Sequence, residues 1–188
     1  RLIEAEYLEG ELAEPVNPDR YGRMPWRQDP KQAGPSLVLG DLGTPAYNLA
    51  CTVSGLEAES LCAEITRFMP GREVDDNATM LLRYPNGARG MMWVSQVAAG
   101  TEEYLSVRVF GENGMLEWRQ PNPNDLHYRP LTGPAQILTR NGPGLSPAAY
   151  RAARAYRGNP EGYFEAFANL YSDAAEAISR VFGPMDPT

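Results

Sequence analysis

Between Ser60 and Trp118 the chain repeats one device. Short runs rich in apolar residues, from Ser60 to Phe68, Asn77 to Tyr84, Ala88 to Ala98, Tyr104 to Phe110 and Met115 to Trp118, follow one another across connections of a few residues. Parallel neighbours need a crossover of a dozen or more residues, so antiparallel pairing is the natural topology for connections this short. Pro85-Asn86-Gly87 and Gly111-Glu112-Asn113-Gly114 supply the positive φ that tight hairpins require. In the third run Met92, Val94 and Gln96 face one way and Met91, Trp93 and Val97 the other. Apolar residues on both faces imply helices over one side and a second copy of the chain over the other.

The flanking segments complete an α+β reading. Residues 1 to 8 alternate in the period of a half-buried strand. Pro15, Pro18, Pro25 and Pro30 make Glu9 to Gly34 an irregular surface excursion of the kind that lines sites. Asp41 stands where a carboxylate caps a helix running to Gly55, with Pro45 in the first turn, where no intrahelical N–H is lost. Seven prolines between 119 and 160 predict a wrapping segment with one short strand near Leu126 to Arg129. From Glu161 to Phe182, Phe164, Phe167, Ala168, Tyr171, Ala174, Ala175, Ile178 and Phe182 form a stripe at helical spacing. The expectation is one domain over 1–188: an open, mainly antiparallel β-sheet of about six strands, with the Asp41 and Glu161 helices packed on one face.

Absences narrow the function. The formal net charge of −7 repels phosphate backbones, so nucleic acid is not the expected partner. No apolar run approaches the ~20 residues that span a bilayer, and no signal peptide opens the chain; a soluble cytoplasmic protein is expected. Cys51 and Cys62 read as free thiols of a reducing compartment. One histidine, His127, removes every two-histidine metal motif. The chain has no G-x-S-x-G, no G-x-G-x-x-G and no G-x-x-x-x-G-K-[ST], hence neither a nucleophile elbow nor a phosphate cradle.

Several strings carry a resemblance: Trp26-Arg27 with Asp29-Pro30 and Ala33-Gly34, GDLGTPAYNLA from Gly40, DDNA from Asp75, ARGMMWVSQVAAG from Ala88, RVFGENGMLEW from Arg108 and NPEGYFEAFANLY from Asn159. In this order they resemble the C-terminal domain of the glucose-fructose oxidoreductase / inositol dehydrogenase (Gfo/Idh/MocA) family. The resemblance implies a sheet domain that covers the nicotinamide, binds a sugar or polyol and forms subunit contacts, beside an N-terminal Rossmann domain to which nothing here corresponds. The family's acid/base pair lies on the Asp and His of G-D-x-G-T-H. Here the first position is Asp41 and the second is Pro45, which cannot take a proton. Glu103 stands where the resemblance leads one to expect asparagine, Asn159 where it leads one to expect histidine, and Leu37 where a small residue is expected.

Two functions are therefore carried forward. The first is a substrate-binding and oligomerisation domain, stand-alone or excised, that is not itself redox-active and holds no cofactor; the start at Arg1 without an initiator Met favours a fragment. The second is a repurposed free-standing hydrolase with acid/base or metal-ligand chemistry from Asp41, Asp75, Asp76, Glu103, Glu161 and His127. Asp41 is the expected centre and the catalytic candidate. Tyr47, Glu103, Asn159, Glu161 and Tyr163 are candidate ligand contacts, and Asp41 and His127 candidate metal ligands. The bland readings stand beside these: Asp41 as a helix cap, Asp75 and Asp76 as a solvated strand start, and His127 as an exposed loop residue.

Overall fold

A computed structural model describes residues 1–14 and 25–183. Part of the proline-rich excursion after Glu9, with Pro15 and Pro18, lies outside the described residues. Eight strands form one open sheet in the order β2-β3-β4-β1-β5-β6-β7-β8. They are β1 (Leu2–Leu8), β2 (Ser60–Thr66), β3 (Asn77–Arg83), β4 (Arg89–Ser95), β5 (Tyr104–Phe110), β6 (Gly114–Arg119), β7 (Asp125–Pro130) and β8 (Gln136–Thr139). The five runs of the repeat and the opening strand are all present. The sheet exceeds the expected six strands by two, because β2 to β4 and β5 to β8 flank an inserted β1, and β8 lies in the stretch whose prolines hide any pattern.

That insertion is the decisive feature of the topology. β1 pairs with β4 in parallel, Leu2 opposite Arg89 through Leu8 opposite Ser95, and with β5 antiparallel, Leu8 opposite Tyr104. The β3–β4 hairpin turns at Gly87, whose φ of 83° only glycine adopts without strain, while Asn86 Oδ1 accepts from the Ala88 N–H at 3.0 Å.

The chain divides into two compact units, Arg1–Asn122 with His127–Gln136, and Pro123–Leu126 with Ile137–Thr188. In the first, helix α1 (Thr44–Ser54) lays Ala46 and Ala50, small residues one turn apart, against a core of Ile3, Ala5, Ala78, Met80, Met92 and Val94. It ends as expected at Gly55, in the left-handed conformation with its N–H on the Cys51 carbonyl. The opposite face carries Leu81, Met91 and Trp93 exposed, beside a charged row in which Glu4 pairs with Arg108 and Glu117 with Arg119.

The second unit holds helices α2 (Pro147–Ala152) and α3 (Tyr163–Phe182). Here one expectation is corrected. The stripe on α3 that predicts a buried face is exposed at Phe164, Phe167, Tyr171, Ile178 and Phe182, and the helix has no buried side chain. No described helix is long and apolar enough to cross a membrane.

Candidate functional site

The parallel pairing decides where the polar residues meet. Because β1 and β4 run the same way, their C-terminal ends lie side by side, and the chain beyond each continues the pairing: the Glu9 N–H donates to the Ser95 carbonyl at 2.8 Å and the Ala98 N–H to the Glu9 carbonyl at 3.0 Å. Gly10 permits this approach, since a Cβ there would lie 2.8 Å from the Ala98 carbonyl oxygen. β5 starts at the same end, which brings Glu103 in from the third side.

Asp41 enters from above, on a single π-helical turn (Leu39–Gly43) that leads into α1, with the Thr44 N–H bonded back to the Leu39 carbonyl. Such turns widen a helix by one residue and are frequent at functional sites. Leu42 and Gly43 are buried beneath it. Asp41 makes no capping bond here, which corrects the helix-cap reading. The capping is done by Ser36 and Asp75: the Asp75 carboxylate accepts from the Leu37 N–H at 2.9 Å, the Val38 N–H at 3.2 Å and the Ser36 hydroxyl at 2.6 Å. Asp76 is likewise no solvated strand residue. It is fully buried, accepts from the Phe68 and Met69 N–H groups and pairs with Arg72.

Gln96 joins the pieces. Its side chain is fully buried, and its amide nitrogen donates to Asp41 Oδ2 at 2.8 Å and to Glu9 Oε1 at 3.1 Å. Arg27 sits on the same carboxylate, Nη2 at 2.8 Å from Asp41, while its Nη1 reaches Glu11 at 3.1 Å. Tyr7 donates to Glu103 at 3.0 Å. Among the described residues, two buried polar atoms of this group have no partner, the acceptor Oε1 of Gln96 and the donor Nε of Arg27.

The electrostatics follow from burial and like charges. Burial raises the pKa of Tyr7 far above the phenol range, and the hydrogen bond and charge of Glu103, then the charges of Glu9 and Asp41, add to it. Burial also raises Glu9, with the Gln96 hydrogen bond opposing and the Glu11 charge reinforcing. A carboxyl raised on folding contributes stability that is present below the ordinary carboxylate range and is lost as pH rises through the folded-state value. Glu9→Gln should abolish that loss. Thermal unfolding of both proteins from acid to neutral pH checks it: the wild type should lose ground to the variant as pH rises, and parallel profiles would refute the assignment to Glu9.

Of the residues expected from sequence, the structure places Asp41 on the Gln96 amide and Glu103 on the Tyr7 hydroxyl; Tyr7, Glu9, Arg27 and Gln96 were missed as site residues. Tyr47 lies elsewhere in the first unit, accepting from the Ala58 N–H at 3.0 Å and lining a cavity of about 600 Å³ with Leu39, Asn48, Cys51, Glu57 and Met92. In the second unit Glu161 is nearly buried, bonded to the Arg154 and Ala155 N–H groups and 2.9 Å from Arg140, which is a structural role. Asn159 accepts from Arg140 through its backbone carbonyl, and Tyr163 is exposed beside Phe164 and Phe167. His127 is not in a loop: it is half-buried within β7. Among the described residues no group of three or more His, Cys, Asp or Glu side chains is gathered as a metal site.

Known proteins match this chain in sequence and fold. The GFO/IDH/MocA C-terminal domain profile matches residues 2–117. The uncharacterized oxidoreductase YfiI of Bacillus subtilis (strain 168) is 34% identical over 180 residues, which are 95% of this chain and 46% of that protein. Among solved structures, an oxidoreductase from Sinorhizobium meliloti is 45% identical with a TM-score of 0.81, covering 100% of this chain and 49% of that one. An inositol dehydrogenase homolog from Azotobacter vinelandii, solved with NAD+, is 35% identical with a TM-score of 0.88, covering 97% and 48%. The chain thus spans about half the length of these relatives. With its eight-stranded, mostly antiparallel sheet and its matched sequence, it belongs to the Gfo/Idh/MocA oxidoreductase family, as a C-terminal domain.

Proposed function

We infer that this chain is the substrate-binding and oligomerisation half of a sugar or polyol oxidoreductase-like protein and does not itself perform the redox step. The observation that carries the reading is the group at the end of β1 and β4: Asp41, Glu9 and Gln96 in one hydrogen-bonded set, braced by Arg27. The unpartnered acceptor on Gln96 and donor on Arg27 suit a ligand whose hydroxyls both give and take hydrogen bonds. The inositol dehydrogenase homolog among the relatives supports a polyhydroxylated ligand. Pro45, in the first turn of α1, offers no proton acceptor, and no glycine-rich phosphate cradle is present in the sequence. The open sheet face, with Leu81, Met91 and Trp93 exposed, is the surface for a second copy. The free thiols of Cys51 and Cys62 suit a cytoplasmic setting.

Titration with NADH, followed by its fluorescence, and with myo-inositol and glucose, followed by saturation-transfer NMR, tests the reading. Saturable polyol or sugar binding without NADH binding is expected, in a protein that sediments as a dimer or larger. Stoichiometric NADH binding, or failure to bind any polyol or sugar, would overturn the functional reading, and a monomer at micromolar concentration would remove the oligomer.

A further inference from the structure

The charge at the Gln96 site is lopsided. Glu9 and Asp41 share the Gln96 amide, Glu103 accepts from the neighbouring Tyr7, and among the described residues Arg27 is the one cation bonded to the group. Arg27 is itself divided between Asp41 and Glu11. The same carboxylates act on Tyr7: after burial, Glu103, Glu9 and Asp41 raise its pKa.

A second, independent feature points to a donor. Gln96 is fully buried and its amide nitrogen is fixed between Glu9 and Asp41, so the amide oxygen on the same carbon lies beside those carboxylates. Among the described residues that oxygen has no partner. Ionised carboxylates only accept hydrogen bonds, so the site offers a surplus of acceptors and negative charge. A neutral hydroxyl can satisfy one acceptor, but an ammonium brings three donors and the compensating charge.

We propose that the site takes an amine-bearing sugar or cyclitol, its ammonium held by Glu9, Glu103 and the side-chain oxygen of Gln96 and a neighbouring hydroxyl by Arg27. This rests on the sugar- and polyol-binding reading and narrows its ligand class. Glu9 and Gln96 set the depth of the ammonium position, and Glu103, exposed at the rim, completes it. Anionic sugars are disfavoured by the same carboxylates.

The probes are glucosamine, N-acetylglucosamine and glucose, titrated calorimetrically into the full chain at about pH 6, where an amine of this kind is charged. Glucosamine should bind about tenfold more tightly than glucose, the order of one charge-assisted contact, and N-acetylglucosamine, which lacks the charge, no better than glucose. Glu103→Gln keeps an oxygen for Tyr7 to donate to, so the fold is preserved. It should remove most of the glucosamine preference, read as the ratio of glucosamine to glucose affinity, because the charge is lost while the oxygen stays. Equal binding of glucosamine and glucose, or a preference untouched by Glu103→Gln and by Glu9→Gln, would overturn the proposal and leave the sugar-binding reading standing. Binding of none of the three, nor of myo-inositol, would remove both.

Discussion

Asp76→Ala should cost about 3–5 kcal/mol of folding stability, the range for breaking a buried ion pair by removing one partner. Asp76 is fully buried and Arg72, 3.4 Å away, is 1% exposed. Arg72 donates to the Leu12 carbonyl at 3.0 Å but among the described residues leaves Nε and Nη2 without partners, so Asp76 is its compensating charge. Asp76 also accepts from the Phe68 and Met69 N–H groups at 2.8 and 3.1 Å, which closes the turn between β2 and β3. Loss of this side chain therefore strands one cation and two backbone donors together. Because domain stability is typically about 5–15 kcal/mol, the variant should lose a large share of it. Urea unfolding followed by circular dichroism measures the loss. The double variant Arg72→Met/Asp76→Ala should recover part of it, since the stranded charge is gone. A loss below about 1 kcal/mol, the scale of a surface pair, would show that Arg72 reaches water in the variant.

Asp41→Asn should lower the affinity for any sugar or polyol the chain binds by at least tenfold, equivalent to about 1.4 kcal/mol. The side chain keeps an oxygen to accept from Gln96, and its volume barely changes. What disappears is the charge that holds Arg27 at 2.8 Å. Arg27 is largely buried and retains Glu11 at 3.1 Å, so it keeps one anionic partner, and the stability loss should stay near 1 kcal/mol, the scale of a partly exposed pair. Binding and stability thus separate the two roles of Asp41. Isothermal calorimetry with the ligand found in the sugar screen, alongside thermal unfolding, reads both. Unchanged affinity in a folded variant would remove Asp41 from the site, and unfolding without a change in affinity would make it a purely structural partner of Arg27.

The strands were legible because each carries its own signal. Tyr104–Phe110 is bounded by turn residues and rich in β-branched and aromatic side chains, and the structure gives the same limits. Gly55 ends α1 as a left-handed cap, and the period of the last helix fixes Tyr163–Phe182 to within two residues of its expected start. The short strand β8 and helix α2 were hidden because they lie among prolines and bury little, leaving no apolar period to read. The capping of the Asp41 turn could not be read at all: its acceptor, Asp75, is nearly forty residues away from the N–H groups it satisfies.

The sequence by itself determined the strands of the repeat and the long helices, the turns between them and the kinship carried by Gly40 to Ala50 and Ala88 to Gly100, because these depend on neighbours within a few residues. It also determined that Pro45 replaces a titratable side chain, a matter of identity alone. The site was decided by tertiary structure. Hairpin logic pairs each strand with the next in sequence, whereas β1 lies between β4 and β5, parallel to one and antiparallel to the other. Only that placement sets Glu9, Gln96 and Glu103 at one end of the sheet beneath Asp41. It goes with the burial of Ile3 and Ala5 in one cluster with Met92 and Val94, and of Ala5 opposite Met92 and Val107, contacts spanning about half the chain that no local pattern encodes.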